Sequence, residues 1–275
     1  MIKSVAIQGL KGSFHHIVAN QYFGDNILIN ECLTFDEVVQ SLLKAESDAV
    51  IIAIENSIAG SIIPNYALID NNELHIVGEQ YLDIQHHLMA LPGQDINDIN
   101  EVFSHPMALL QCKAYLKNYP HIKVVEDVDT AEVAHRIQSR KLLNVAAIGS
   151  QLASELYGLE ILEKSIQTIK HNETRFVIVK RENHEIPKAK INKASLKFEL
   201  EHKRGSLATI LNVMSDCKLN LTKIQSLPKI ETPWKYAFFV DVTFDTYNDY
   251  QKAMTIMKIM AEEFKILGEY INAKS

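Results

Sequence analysis

Asn172-Glu173-Thr174-Arg175-Phe176 runs directly into Val177-Ile178-Val179, and the fold is read from this stretch. The apolar run is short, β-branched and stops at Lys180-Arg181, the pattern of a buried strand. Side chains two apart in a strand share a face, so Asn172 and Thr174 are expected to point one way and Arg175 the other. Two readings of the polar cluster stand side by side. In one, a strand start satisfies a loop and the arginine is solvated. In the other, the arginine grips a carboxylate as a planar fork while the hydroxyl and amide address a reacting group.

The flanking sequence alternates between strand and helix. Val5-Ala6-Ile7 is a short strand, and Gly9-Leu10-Lys11-Gly12-Ser13-Phe14 leads from it into a helical pattern. Glycines and a serine at such a turn are expected to expose backbone N–H groups to an anion. The Gly-Lys-Ser/Thr of a P-loop is missing, so no nucleotide is expected. Thr34 with Glu37 forms a capping box for a helix through Leu43. Ala49 to Ile54 is a continuous apolar run of the buried parallel type, ending in Glu55-Asn56-Ser57 and then Gly60-Ser61. Polar residues at the carboxyl end of such a strand are where open α/β sheets place ligands. Glu55, half-buried there, needs a partner; Asn56 or Ser57 serves equally well as an ordinary helix cap.

Residues 74–77 and 80–91 read as two strands. The pairs His15-His16 and His86-His87 cannot easily clasp one ion, since neighbours diverge in both helix and strand; no metal is expected. Ser104-His105-Pro106 opens a helix, Pro106 suiting its first turn and Ser104 or His105 its cap. Strands at 124–125 and 145–148 and helices at 130–143 and 150–158 continue the alternation, which implies an α/β fold with a mainly parallel sheet. After Val179 the chain turns polar, carries Pro187, and reads as a linker over 181–193. Strand (195–200), helix from Gly205-Ser206-Leu207, strands (219–227 and 236–244), helix (247–264) and strand (266–271) follow. This βαββαβ order is ferredoxin-like.

The 275 residues suffice for two domains, and 47% hydrophobic content supports full cores. A formal net charge of -6, spread along the chain, argues against nucleic acid or an anionic membrane as partner. No signal-peptide pattern precedes the first strand, and no apolar run reaches membrane-spanning length. Cys32, Cys112 and Cys217 stand far apart, so neither a zinc site nor a disulfide framework is expected. A cytoplasmic protein is the expectation.

Together these pieces resemble the prephenate dehydratases that carry a C-terminal ACT regulatory domain. The resemblance covers essentially the whole chain. It rests on Gly9-x-x-Gly12-Ser13-Phe14, Glu55-Asn56-Ser57 with Gly60-Ser61, Ser104-His105-Pro106 with Ala108-Leu109 and Gln111-Cys112, and Asn172-x-Thr174-Arg175-Phe176. It implies a periplasmic-binding-protein-like catalytic domain over 1–181. One lobe is then 1–78 with 160–181 and the other 79–159; a linker (182–193) and an ACT domain (194–275) follow. It implies cofactor-free loss of water and carbon dioxide from prephenate, giving phenylpyruvate. Thr174 would act on the leaving hydroxyl, with Asn172, Glu55, Asn56 and Ser57 in support. Arg175, Phe176, Ser13, Gly60, Ser104 and His105 would bind substrate. Gly205, Ser206, Leu207, Asn220 and Leu221 would bind phenylalanine as allosteric effector, in a homodimer or homotetramer.

The chain departs from the family pattern in places. Ser13 stands for a threonine, His15 for a small polar residue, and Met107 for a glutamine. Gly-Ala-Leu becomes Gly205-Ser206-Leu207, and Glu-Ser-Arg-Pro becomes Gln225-Ser226-Leu227-Pro228, losing both charges. Arogenate dehydration, and a non-enzymatic two-lobed small-anion binder, are the alternatives.

Overall fold

Buried β-branched runs become strands here, and the polar residues that follow them become helix caps. The computed structural model describes residues 2–183, 186–229 and 235–274. The chain begins β1 (Ser4–Gln8), α1 (Phe14–Phe23), β2 (Leu28–Cys32), α2 (Phe35–Leu43), β3 (Ala49–Asn56), β4 (Gly60–Ser61), α3 (Ile63–Asn71) and β5 (His75–Asp83). It continues with β6 (His87–Ala90), β7 (Glu101–Ser104), α4 (Pro106–Gln111), α5 (Lys113–Leu116), β8 (Lys123–Glu126), α6 (Thr130–Arg140), β9 (Val145–Gly149), α7 (Gln151–Tyr157), β10 (Glu160–Glu163) and β11 (Glu173–Lys180). The last elements are β12 (Lys193–Glu199), α8 (Ser206–Asp216), β13 (Asn220–Pro228), β14 (Tyr236–Thr243), α9 (Tyr247–Met260) and β15 (Glu263–Tyr270).

The strands form sheets ordered β2-β1-β3-β11-β5, with β4 on β3, then β10-β6-β9-β7-β8, then β13-β14-β12-β15. β1 runs parallel to β2 and β3, and β7 parallel to β8 and β9. β6 lies antiparallel to both β9 and β10, so the second sheet is mixed where a mainly parallel one was expected.

Several boundaries differ from the sequence reading. β5 passes straight through Gly78, and the break comes at residues 84–86 instead. There Ile84 N–H donates to the Asn172 carbonyl at 2.6 Å and His86 N–H to Gln167 Oε1 at 3.0 Å, so the ladder is exchanged for other partners. The helix expected over 130–143 stops at Arg140, because Lys141 turns left-handed. The helix expected to reach Phe264 ends at Met260; Phe264 instead pairs with Phe198 across the sheet. Thr34 caps α2 by accepting from Glu37 N–H, but Glu37 reaches back to Leu33 N–H, one residue earlier than a capping box requires.

The residues up to Gly60 together with Tyr81–Phe176 form one compact unit; Ser61–Gln80 together with the chain from Val177 form a second. In the second unit, β12-α8-β13-β14-α9-β15 is the expected βαββαβ arrangement, all pairs antiparallel. Alternation sends Ala194, Leu196 and Phe198 into a core with Ile210, Met214, Tyr250 and Met257.

The opposite face of β12 carries Lys193, Ser195, Lys197 and Glu199, and it is buried too. Buried charge needs partners. Lys193 Nζ lies 2.8 Å from Glu79, with the two side chains 4% and 0% exposed. Asp70 of α3 receives Lys197 and Lys265, each at 2.8 Å. Burial opposes ionisation of Asp70, but these ammonium groups hold its carboxyl below the usual range. Gly268 permits a close approach in the same layer, since a Cβ there would stand 2.1 Å from the Ile76 carbonyl oxygen. No helix among the described residues is long and apolar enough to cross a membrane.

Breaking the Glu79–Lys193 pair on one side should be costly. Glu79→Gln removes one charge of a buried pair and should lower stability by about 3–5 kcal/mol in urea unfolding. Glu79→Leu with Lys193→Met should recover most of that loss. An unchanged midpoint for Glu79→Gln would show that the pair holds nothing together.

Candidate active site

β3 is apolar and buried from Ala49 to Ile54, and so delivers Asn56 to a fixed position at its end. Asn56 Oδ1 accepts from Ile58 N–H at 3.0 Å and Ala59 N–H at 2.8 Å, an asparagine turn. Backbone N–H groups only donate, so the amide cannot be flipped. Its Nδ2 therefore faces β11, donating to Asn172 Oδ1 at 2.7 Å and Thr174 Oγ1 at 2.9 Å. Asn172 and Thr174 share a face, as strand alternation implied. Asn172 is wholly buried and Thr174 is 8% exposed.

Further bonds hold this cluster. Ser57 N–H donates to the Glu173 carbonyl at 2.8 Å, and Ser57 Oγ accepts from Glu173 N–H at 2.9 Å. Asn172 Nδ2 donates to Gln111 Oε1 at 2.8 Å, and that oxygen lies 2.9 Å from His86 Nε2. Because Thr174 Oγ1 accepts from Asn56, its own proton is left to donate elsewhere. Among the described residues, no imidazole or carboxylate hydrogen-bonds Thr174.

The turn after β1 departs from expectation. Gly9 N–H goes to the Cys32 carbonyl, Lys11 N–H to Glu31, Gly12 N–H to His16 Nδ1 and Ser13 N–H to the Leu10 carbonyl. Leu10 N–H goes to Asp129, a half-buried carboxyl whose pKa desolvation raises. Each N–H from Gly9 to Ser13 is thus already used, and the turn supplies shape, not an anion cradle. Ser13 Oγ accepts from His16 N–H at 3.4 Å as the α1 cap. Gly12 has φ 93°, and a Cβ there would meet Ala153 Cα at 2.9 Å.

The remaining candidates divide. Arg175 and Phe176 are buried, Arg175 to 3% exposure, and Phe176 packs edge-on against His15 with ring centroids 5.0 Å apart. Glu55 is half-buried, and Gly60 is exposed at φ 84°. Ser104 gives its hydroxyl to the Ile148 carbonyl at 2.7 Å and is fully buried, so His105 caps α4, accepting from Met107 N–H. Gly205, Ser206, Leu207, Asn220 and Leu221 lie in the second unit, at the start of α8 and of β13. His86 and His87 turn to different partners, Gln111 and Ser165 N–H.

Sequence reasoning gave no role to Gln111, Asp129, Ser150 or His86. Ser150 caps α7 and also donates to the Gly12 carbonyl; Asp129 caps α6 and also holds Leu10. The caps were visible as Ser, and as Asp before Thr, ahead of helical patterns. Their second partners were not. Cys112, beside Gln111, has its thiol pushed up to about 12 by burial against a small opposing effect of Lys170, and stays protonated.

Comparison with known proteins bears on this constellation. Residues 5–184 match the family model described as prephenate dehydratase. The chain belongs to the prephenate dehydratase family. It is 33% identical to the bifunctional chorismate mutase/prephenate dehydratase of Buchnera aphidicola subsp. Acyrthosiphon pisum (strain APS), over 97% of this chain and 70% of that protein. Among solved structures, GqqA, described as a novel type of quorum quenching acylase, superposes with a TM-score of 0.88 at 26% identity, covering 98% of both chains. The prephenate dehydratase of Arthrobacter aurescens, solved with L-Phe, superposes with a TM-score of 0.89 at 24% identity, covering 98% of this chain and 90% of that one.

Prephenate dehydration makes a clear chemical demand: a poor leaving group, hydroxide, must receive a proton. Asn56→Asp keeps the shape but puts a carboxylate oxygen against Asn172 Oδ1 and Thr174 Oγ1. It should destabilise the fold by about 1–3 kcal/mol and lower turnover more than Asn56→Ala does. Thermal unfolding beside steady-state kinetics checks this. An Asp variant as active as wild type would remove Asn56 from the site.

Proposed function

We propose that the chain converts prephenate to phenylpyruvate at the Asn56–Asn172–Thr174 cluster, with Thr174 protonating the departing hydroxyl. The donor order carries this reading: Asn56 Nδ2 is given to Thr174 Oγ1 at 2.9 Å, which leaves the threonine proton for the substrate. In the balanced step the ring C–O bond breaks, and the C–C bond to the ring carboxylate releases carbon dioxide. The freed C–C electron pair enters the ring, which becomes aromatic. The Thr174 proton completes the water molecule, and solvent restores it.

Threonine is a weak acid, so the Asn56 N–H dipole must stabilise the charge developing on Oγ1. Arg175 supplies a fixed fork for one substrate carboxylate. Phe176 shields the carboxylate that is lost from water. Ser57 steadies the Glu173 backbone through bonds of 2.8 and 2.9 Å. In this reading Glu55 supports Thr174, and Ser13, Gly60, Ser104 and His105 contribute to substrate binding. The acylase chemistry in one structural neighbour's name would call for an activated nucleophile, and Thr174 has no base bonded to it among the described residues.

Thr174→Val is near-isosteric and removes the donor. Turnover of prephenate, followed as phenylpyruvate, should fall on the order of 10²-fold or more while unfolding is unchanged. Arogenate supplied in parallel measures the preference between the two substrates. A valine variant with near-normal turnover defeats the assignment of Thr174.

Phenylalanine is the proposed feedback effector, acting on a cytoplasmic homodimer or homotetramer through the C-terminal ACT domain. Support comes from a hollow of about 230 Å³ lined by Leu200, Ser206, Leu207, Tyr236 and Phe238, and from the L-Phe in the Arthrobacter structure. Asn220 and Leu221 open β13, whose later positions Gln225 and Leu227 lack the family's charges. A ligand shifts an equilibrium only by its differential affinity, so inhibition should be blunted while binding survives. Gln225→Glu with Leu227→Arg should sharpen inhibition in a phenylalanine titration run beside calorimetry. Absence of binding at roughly millimolar phenylalanine would overturn the effector role.

A further inference from the structure

We propose that His86 is a positioning residue for the dehydration. Its Nε2–H holds the Gln111 carbonyl oxygen and, through it, the placement of the Asn172 amide that is bonded to Asn56 beside Thr174; the direction in which Thr174 donates is set at Asn56 itself. The inference rests on the dehydratase reading for its kinetic arm only.

The polarity follows bond by bond. Asn56 is oriented by two backbone donors, so Asn172 Oδ1 must accept. Asn172 Nδ2 must then donate, which makes the Gln111 atom it faces, 2.8 Å away, the carbonyl oxygen. His86 Nε2 stands 2.9 Å from that same oxygen and can bond it only as a donor. This selects the Nε2–H tautomer and leaves Nδ1 bare. It also turns the Gln111 amino group away from His86 and Asn172; that group makes no hydrogen bond among the described residues.

Placement of the ring is over-determined. His86 N–H donates to Gln167 Oε1 at 3.0 Å, its carbonyl accepts from Ile166 N–H at 2.8 Å, and the ring meets Phe14 edge-on at 5.5 Å. His86 Nδ1 is buried without a hydrogen-bond partner. Packing alone would be met at lower cost by an apolar ring, which has no such orphan. The imidazole is therefore explained by its other nitrogen. Burial, against the opposing bond from Gln111, pushes its pKa down to about 4, so near neutral pH the ring is uncharged.

The test combines kinetics with imidazole nitrogen NMR on the full chain labelled at histidine. Wild-type His86 should show a protonated Nε2 and a bare Nδ1. His86→Phe should lower kcat about 10-fold while KM changes little, the mark of lost positioning. His86→Gln, which can return an amide donor near the same place, should recover most of the rate. In a Thr174→Val background, His86→Phe should cost nothing more, because both act on one proton.

A protonated Nδ1 overturns the proposal whatever the activity. So does a His86→Gln enzyme as slow as His86→Phe, or a full added loss in the Thr174→Val background. Should His86→Phe fail to fold, the tautomer and the His86→Gln rate still decide. A wild-type chain without prephenate turnover would defeat the dehydratase reading and leave the tautomer result to judge this one.

Discussion

The orientation of one amide, that of Asn56, governs which way the hydrogen bonds run at the end of β3. Were the group turned over, its oxygen would face Thr174 and the threonine would spend its proton inward. Two backbone N–H groups, at 3.0 and 2.8 Å, prevent this. They exist because the chain bends immediately after a strand too apolar to shift its register. A register slip by one residue would carry Asn56 to the other face of the sheet. Hydrophobic burial along Ala49 to Ile54 thus sets hydrogen-bond polarity beyond the strand's end, a step from packing to chemistry through geometry alone.

In the second unit the same logic runs with charge. β12 is covered on both faces, and an alternating strand cannot be apolar on one face only under those conditions without partners for the other. Lys193 and Lys197 find Glu79 and Asp70, which come from Ser61–Gln80, far earlier in sequence. Buried pairs of this kind add little stability over an apolar substitute, but each punishes a mismatched neighbour. Their contribution is better understood as register: Gly268 against Ile76 leaves no room for sliding.

Much of this was legible in local sequence. The cluster at 172–176 told of a strand with Asn172 and Thr174 on one face, and βαββαβ was visible from alternation and caps. What failed was long-range. The N–H groups of Gly9, Leu10 and Lys11 looked open because their takers, Cys32, Asp129 and Glu31, lie elsewhere in the chain. Gly78 looked like a strand end, but Gly weakens a strand without ending it where neighbours pair on both sides. His86 was given no role beyond a poor metal ligand because its partner Gln111 stands 25 positions away. Periodicity reports which face is buried; it does not report what meets that face.

A relay made of amides has a consequence for acidity. Asn56, Asn172 and Gln111 do not titrate, so their direction persists at any pH that leaves the protein folded. His86 is the one ionisable member, and even as an imidazolium it would still donate through Nε2 to Gln111. Its protonation would instead place a buried cation near His87 and His105, which oppose it. The cost of acid falls on the fold before it falls on the proton's direction. On the proposed role of Thr174, pH dependence of turnover in the neutral range then arises from the supply of the proton to Thr174 or from the substrate, not from the network around it.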